Sequence, residues 1–413
     1  MSVEREKSYM LAIPKDPQDL IDVEGIFERL AFAEDFIIKK HSMTEGTINI
    51  VLDYKGREYS ADFYPYDFKL PEFYRTAHIF NDVDIEAIEK ADAGIAVDMF
   101  FDENYMDSYH LQLKLIDTIL PEKIAVFDDS AEKIMAGDWV KMAAQSMVAP
   151  APKYLFTTQA VSDESGEIWL HTHGLNRCAV TELEILDSTR DTYKTHYNII
   201  ETMAKRLLDA EEAFDEKDPV FIARLSNGND FVATFVNYAD ALKEYPENIL
   251  GGAKDRTDGH NKNTSVVFTY PSKEYFDEGR FVPVSIYDEI LEDNPIFMFS
   301  NAETARMKAL AGERIGFAVD AAKNPENTVL LKIGLETDSD YSENDMPYEH
   351  IWFKLIKFED DRSFTAELTQ EPYYVKGIHT GDTGKYALED ITDWIIYTPE
   401  RAVTPDDAYL LKR

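Results

Sequence analysis

The chain has 413 residues, 44% hydrophobic and 12% aromatic, enough to bury substantial cores and too much for global disorder. That length exceeds one ordinary core, so two or three domains are expected. Its 42 Lys and Arg against 79 Asp and Glu give a formal net charge of −37, which repels nucleic-acid phosphates and anionic membranes. Bulk electrostatics therefore favour a protein partner, a basic one above all, or a small molecule. The single cysteine, Cys178, excludes an intrachain disulfide and a Cys-rich zinc centre. No apolar run reaches about 18 residues, and the opening MSVEREKSYMLAIPKD has no signal-type segment. The expectation is a cytoplasmic protein without membrane or nucleic-acid partners.

In chain order, Asp16 and Pro17 head a segment where Leu20, Val23, Phe27 and Leu30 recur at helical spacing, predicting a helix over 16–40. TINIVLDY and REYSADFYPY, joined by Lys55-Gly56, alternate as a hairpin with Ile48, Ile50 and Leu52 on one face. Helix–strand pairs follow twice: DIEAIEKA into GIAVDMFF, and SYHLQLKLIDTIL into KIAVFDD. A short helix surrounds Trp139, three strands lie within APAPKYLFTTQA, GEIWLHTHG and TELEILD, and a long amphipathic helix closes an α+β, mixed-sheet domain over 1–213. The charged DAEEAFDEKDP precedes Pro219 and reads as a boundary. A β-rich middle segment, 219–295, opens with a hairpin turning at Asn227-Gly228 and includes the polar loop GGAKDRTDGHNKN. The C-terminal domain, 296–413, is predicted as a helix followed by short strands forming a small barrel or a strongly bent sheet.

That last domain carries a recognisable pattern. Glu349, His350 and Trp352 lie on one strand, Glu371-Pro372 end another, and Gly381 opens the run to Ile391, Asp393 and Trp394. With the helix at 301–323, it resembles the bacterial domain-of-unknown-function family 2314. Residues 111–187 are more loosely similar to family 4261, and the whole arrangement resembles family 4026. None of these supplies an activity or a cofactor. Related small bacterial domains occur among immunity proteins of toxin systems, so the resemblance implies a non-enzymatic adaptor or immunity-type binding protein.

Two sets of candidate residues follow. His171 and His173, two apart on a strand, point to one face, and Glu182 or Glu184 on the next strand offers a third ligand; this is the metal-assisted hydrolase reading. The preferred reading assigns no catalytic residue, metal or cofactor, and places a protein-binding surface on His350, Trp352, Glu371, Asp393 and Trp394. Cys178 matches no nucleophile motif and reads as a buried apolar residue. HTGDTGK lacks the spacing of a phosphate loop and reads as a turn. Glu389, Asp390 and Asp393 read as turn acids that cap backbone amides. Tyr59, Phe63 and Tyr64, interleaved with Asp62 and Asp67, read as a solvated hairpin and loop, with an acidic, aromatic face for a basic partner as the alternative.

Overall fold

The structure is a computed structural model that describes residues 4–20, 22–75, 79–210, 212–225, 228–256, 264–291, 301–338 and 348–411. It is mixed α+β, with three sheets distributed over two compact units, 1–144 with 151–298, and 145–150 with 299–413.

The first sheet contains β1 (Ser8–Pro14), β2 (Ile37–Thr44), β3 (Thr47–Tyr54), β4 (Arg57–Asp67), β5 (Ala93–Met99), β6 (Lys123–Asp128) and β7 (Lys133–Ala136), in the order β2-β3-β4-β5-β1-β6-β7. The predicted hairpin is β3–β4. Ile48, Ile50 and Leu52 are buried together, and the turn residues Lys55 and Gly56 both have positive φ. The helix Tyr105–Ile119 links β5 to β6, which lie on either side of β1. It is buried on nearly all faces, and its Gln112 amide donates to the carbonyls of Ser8 and Val97, at 3.1 and 2.9 Å.

The predicted helix over 16–40 is shorter than its spacing implied. It runs Val23–Ala31, capped at Gly25 N by Asp22, and the chain re-enters as β2 at Ile37. Ile37 and Ile38 are β-branched, and cross-strand pairing with β3 outweighs the helical periodicity there. The possible aromatic face on β4 is also altered. Tyr59 and Phe63 are core residues, Tyr64 donates its hydroxyl to Asp98 at 2.8 Å, and Asp62 pairs with Lys7.

The second sheet contains β8 (Thr157–Ser162), β9 (Glu167–His173), β10 (Glu182–Thr189), β11 (Val220–Arg224), β12 (Asp230–Asn237), β13 (Thr264–Thr269) and the short β14 (Val282–Pro283). Its order is β11-β12-β13-β10-β9-β8, with β14 against β13. β10 and β13 pair in parallel and every other pair is antiparallel, so the sheet is mixed. It runs across the boundary read before Pro219: strands from 157–189 and from 220–269 share it. The expected Asn227-Gly228 turn lies partly outside the described residues, as does most of the polar loop before β13.

The third sheet contains β15 (Thr328–Glu336), β16 (Tyr348–Phe358), β17 (Ser363–Leu368), β18 (Thr383–Ala387), β19 (Ile391–Tyr397) and β20 (Ala402–Val403), ordered β18-β17-β16-β15-β19-β20. Of the expected small barrel or strongly bent sheet, the barrel is not formed: among the described residues the strands make an open sheet. The predicted helix before it breaks into Asn301–Glu313 and Ile315–Ala321. Leu331, Phe353 and Trp394 stand opposite one another across β16, β15 and β19 and are fully buried.

Candidate functional site

His171 and His173 share a face of β9 with Trp169. The His171 ring lies 4.2 Å from the Trp169 ring and 5.0 Å from that of His173, centroid to centroid. The proposed third ligands are committed elsewhere. Glu184, opposite His171 in register, takes both terminal nitrogens of Arg256 and accepts from Trp169 Nε1 at 3.2 Å. The Arg256 guanidinium stacks on Tyr238, 3.4 Å from the ring centroid.

Glu182 accepts from Thr172 Oγ1 at 2.6 Å and from the backbone N–H of Gly174 and Asn176 at 2.8 and 3.1 Å, closing the turn between β9 and β10. Gly174 has φ +110° there, and a Cβ would stand 2.5 Å from the Leu155 carbonyl, so the turn requires glycine. Full burial, with no cationic partner among the described residues, pushes the Glu182 carboxyl up to about 7. Among the described residues, no group of three or more His, Cys, Asp or Glu is placed to hold a metal ion. His171, His173 and Glu182 therefore do not assemble as the alternative ligand set, because Glu182 is consumed in capping the turn.

Cys178 is buried as expected, and burial pushes its thiol up to about 12, leaving it protonated at neutral pH. Its neighbour Arg177 was not singled out from the sequence. The Arg177 guanidinium grips Asp128 through two bonds of 2.8 and 2.9 Å, donates to Ser8 Oγ and the Leu155 carbonyl, and lies over Phe101 and Tyr109. Lys133 adds a second cation 3.7 Å from Asp128, and burial lowers its pKa to about 8. This wholly buried cluster ties the β9–β10 turn to β1, β6 and β7.

A Ser–His–Asp chain was also invisible in sequence. Ser188 Oγ lies 2.6 Å from His196 Nδ1, and His196 Nε2 lies 2.8 Å from Asp288 Oδ1. Its polarity is the reverse of a nucleophilic triad: the carboxylate is the partly exposed end, while serine and imidazole are enclosed. It joins β10 to the helices Tyr193–Leu208 and Asp288–Leu291.

The third sheet separates the five residues of the preferred surface. Trp352, Lys332 and Asp393 stand opposite one another on β16, β15 and β19, on the face away from the Leu331–Phe353–Trp394 row, and all three are half-buried. Lys332 Nζ lies 5.4 Å from the centroid of the Trp352 ring system. Burial pushes the Asp393 carboxyl up to about 6 although it accepts from Trp394 N at 2.8 Å. His350 lies one row further along, opposite Gly334, and its Nδ1 is 3.1 Å from Thr392 Oγ1. A Cβ on Gly334 would approach the His350 ring to 3.2 Å, so glycine makes room for it. Burial and the charges of Lys332 and Lys308 hold His350 below its usual pKa.

Trp394 does not join this surface: it is wholly buried and donates Nε1 to the Ala311 carbonyl at 3.1 Å. Alternation along β19 sends it to the core because Asp393 points the other way. Glu371 stands apart too, on an exposed turn where it accepts from Thr380 N and lies 2.7 Å from His379 Nδ1. Glu349 accepts the N–H groups of Tyr373 and Tyr374, so the Glu349 and Glu371-Pro372 parts of the pattern build turns. Lys332, which completes the row, was missed: a lysine within TVLLKIGLE carries no signal until the register is known.

Comparison with known protein families accords with this architecture. Residues 8–150 match the model described as "Protein of unknown function (DUF4026) N-terminal" and residues 158–268 its C-terminal counterpart. Residues 323–405 match "Uncharacterized protein conserved in bacteria (DUF2314)". The looser similarity of 111–187 to family 4261 is not shown by these matches, which place most of that stretch in the two DUF4026 models. No curated protein and no solved structure matches the chain. The two DUF4026 models together span more than half of the sequence, and the chain belongs to the DUF4026 family, with a DUF2314 domain following them.

Proposed function

We propose that the protein is a non-catalytic binding protein of the adaptor or immunity type, and that the outer face of the third sheet recognises a protein partner. The row Trp352–Lys332–Asp393 carries this reading. It places an indole, an ammonium and a carboxyl side by side on rigid strands, on the face away from the core. A half-buried tryptophan among oriented charges is the composition that concentrates interface energy. The face mixes signs, with Lys354 opposite Glu367 beside this row. Its local pattern therefore sets orientation, while the net charge of −37 draws a basic partner into encounter. Glu182 and Glu184, the third ligands of the hydrolase reading, are held by the β9–β10 turn and by Arg256, which weighs against that reading.

The test compares wild type with Trp352→Ala and Asp393→Asn in partner capture and in thermal unfolding. Both variants are expected to keep their melting temperature within a few degrees and to bind at least about tenfold more weakly, as loss of an anchor of about 1.4 kcal/mol implies. Unchanged capture by both variants contradicts the assignment.

A further inference from the structure

A cavity of about 630 Å³ opens in the first compact unit, where the residues ahead of β1 meet the starts of the parallel strands β10 and β13. That volume lies within the range of small-molecule sites. Its buried part is polar: the Thr181 and Ser265 hydroxyls lie 3.1 Å apart, beside the buried ring of Phe235. Its outer part is aromatic. Tyr9 and Phe100 line it with 43% and 54% of their surfaces exposed.

The charges around the cavity are unbalanced. Glu4, Glu6 and Glu216 line it together with Arg5 and Lys7. Lys7 pairs with Asp62 at 2.9 Å, outside this lining, and the three glutamates outnumber the two cations that line it. Arg5 in turn donates Nη1 to the Phe101 carbonyl at 2.8 Å. Phe100 already receives a cation: Lys7 Nζ stands 5.8 Å from its ring centroid.

We infer that this cavity binds a small organic cation, an amine or guanidine on an apolar or aromatic body. The cationic head lies among Glu4, Glu6 and Glu216, the body packs on Tyr9 and Phe100, and a polar tail reaches the Thr181–Ser265 hydroxyl pair. A carboxylate or phosphate ligand meets the same three glutamates and is rejected by them. The site belongs to a different compact unit from the protein-binding face and does not depend on that reading.

Calorimetric titration of the full chain with spermidine, agmatine and tyramine, and with citrate as the anionic counterpart, tests this. Salt is held at about 150 mM, where the screening length is ~8 Å and diffuse attraction to an acidic chain is suppressed. At least one amine is expected to saturate a single site, and citrate to produce no binding heat. Phe100→Ala and Glu216→Gln should each weaken amine binding by roughly fivefold or more, the effect of losing a partly desolvated cation–π or ion-pair contact. Glutamine at 216 retains an acceptor for the Asn237 N–H that Glu216 now holds at 2.9 Å, so the fold is preserved in that variant. Non-specific attraction to a chain of net charge −37 does not discriminate at Phe100. Absence of saturable binding by all three amines overturns the inference. So does amine affinity unchanged in both variants, or binding of citrate in their place.

Discussion

Glu182 and Glu184 begin the same strand, and both are buried, yet different groups hold them. Glu184 has the Arg256 guanidinium, whereas Glu182 accepts from neutral donors, Thr172, Gly174 and Asn176. Burial raises the Glu182 carboxyl from 4.5 to about 7, so between these values the folded chain keeps a proton that the unfolded chain releases. The sign is therefore destabilising with rising pH: this group's contribution is intact below pH 4.5 and is lost as pH climbs to about 7. Glu182→Gln keeps acceptor capacity and removes the titration. The variant should show a shallower decline of melting temperature from pH 5 to 7.5 than wild type, a difference on the order of 3 kcal/mol across the window. Parallel curves for the two proteins contradict this. The same residues bear on metal. Protein purified without chelator is expected to hold no stoichiometric zinc, manganese or iron, and about one ion per chain, abolished by His171→Ala, contradicts that expectation. The histidine pair was legible in sequence because two residues on one strand share a face. Its surroundings were not: Arg177 and Asp128 are 49 residues apart, and no spacing rule joins them.

At the scale of elements, the buried Arg177–Asp128 pair ties the β9–β10 turn to β6. Breaking a buried ion pair by removing one partner strands the other charge and costs about 3–5 kcal/mol. Arg177→Met leaves Asp128 with the more distant Lys133, 3.7 Å away, and should lower stability by up to that amount in denaturant titration. A change below about 1 kcal/mol shows that Lys133 takes over the pairing. Strand sharing gives a second expectation. β13, from Thr264–Thr269, is the parallel neighbour of β10, so a fragment ending at residue 213 lacks strands at the centre of its second sheet. Residues 1–291 should unfold cooperatively with defined near-ultraviolet dichroism, and residues 1–213 should not. Cooperative unfolding of the shorter fragment shows that the first sheet alone suffices. Alternation located β3–β4, β15 and β16, whereas the stretch 384–397, read as one strand, is two, β18 and β19, separated by a turn at Leu388–Asp390. What alternation cannot report is which strands meet. The charged stretch before Pro219 looked like a linker because its polarity is real, yet the chain returns to the same sheet after it. The hidden helix-to-strand change at Ile37 has the same origin, since pairing partners outside the window decide it.

For the whole molecule, the charge of −37 and the DUF2314 domain bear on the same question of partners. No helix among the described residues is long and apolar enough to cross a membrane. With few phosphates that it can neutralise, the protein should not retain DNA or RNA on a filter at about 150 mM salt, and tight, salt-resistant retention contradicts the electrostatic argument. Within the C-terminal pattern, the sequence singled out Trp352 and Trp394 alike, and only the register of β15, β16 and β19 separates the core indole from the one on the outer face. Trp394→Phe removes a buried hydrogen bond and volume, and should cost about 1–3 kcal/mol of stability. Trp352→Ala should cost far less stability and remove binding. A photo-crosslinking side chain placed at position 354, on the outer face beside Trp352, and activated in cells tests whether this face meets a protein partner. A discrete adduct with one protein partner is expected, lost when Trp352→Ala is added and absent when the probe stands at exposed position 164 in the first unit. No adduct at 354, or an adduct that persists in Trp352→Ala, would contradict it.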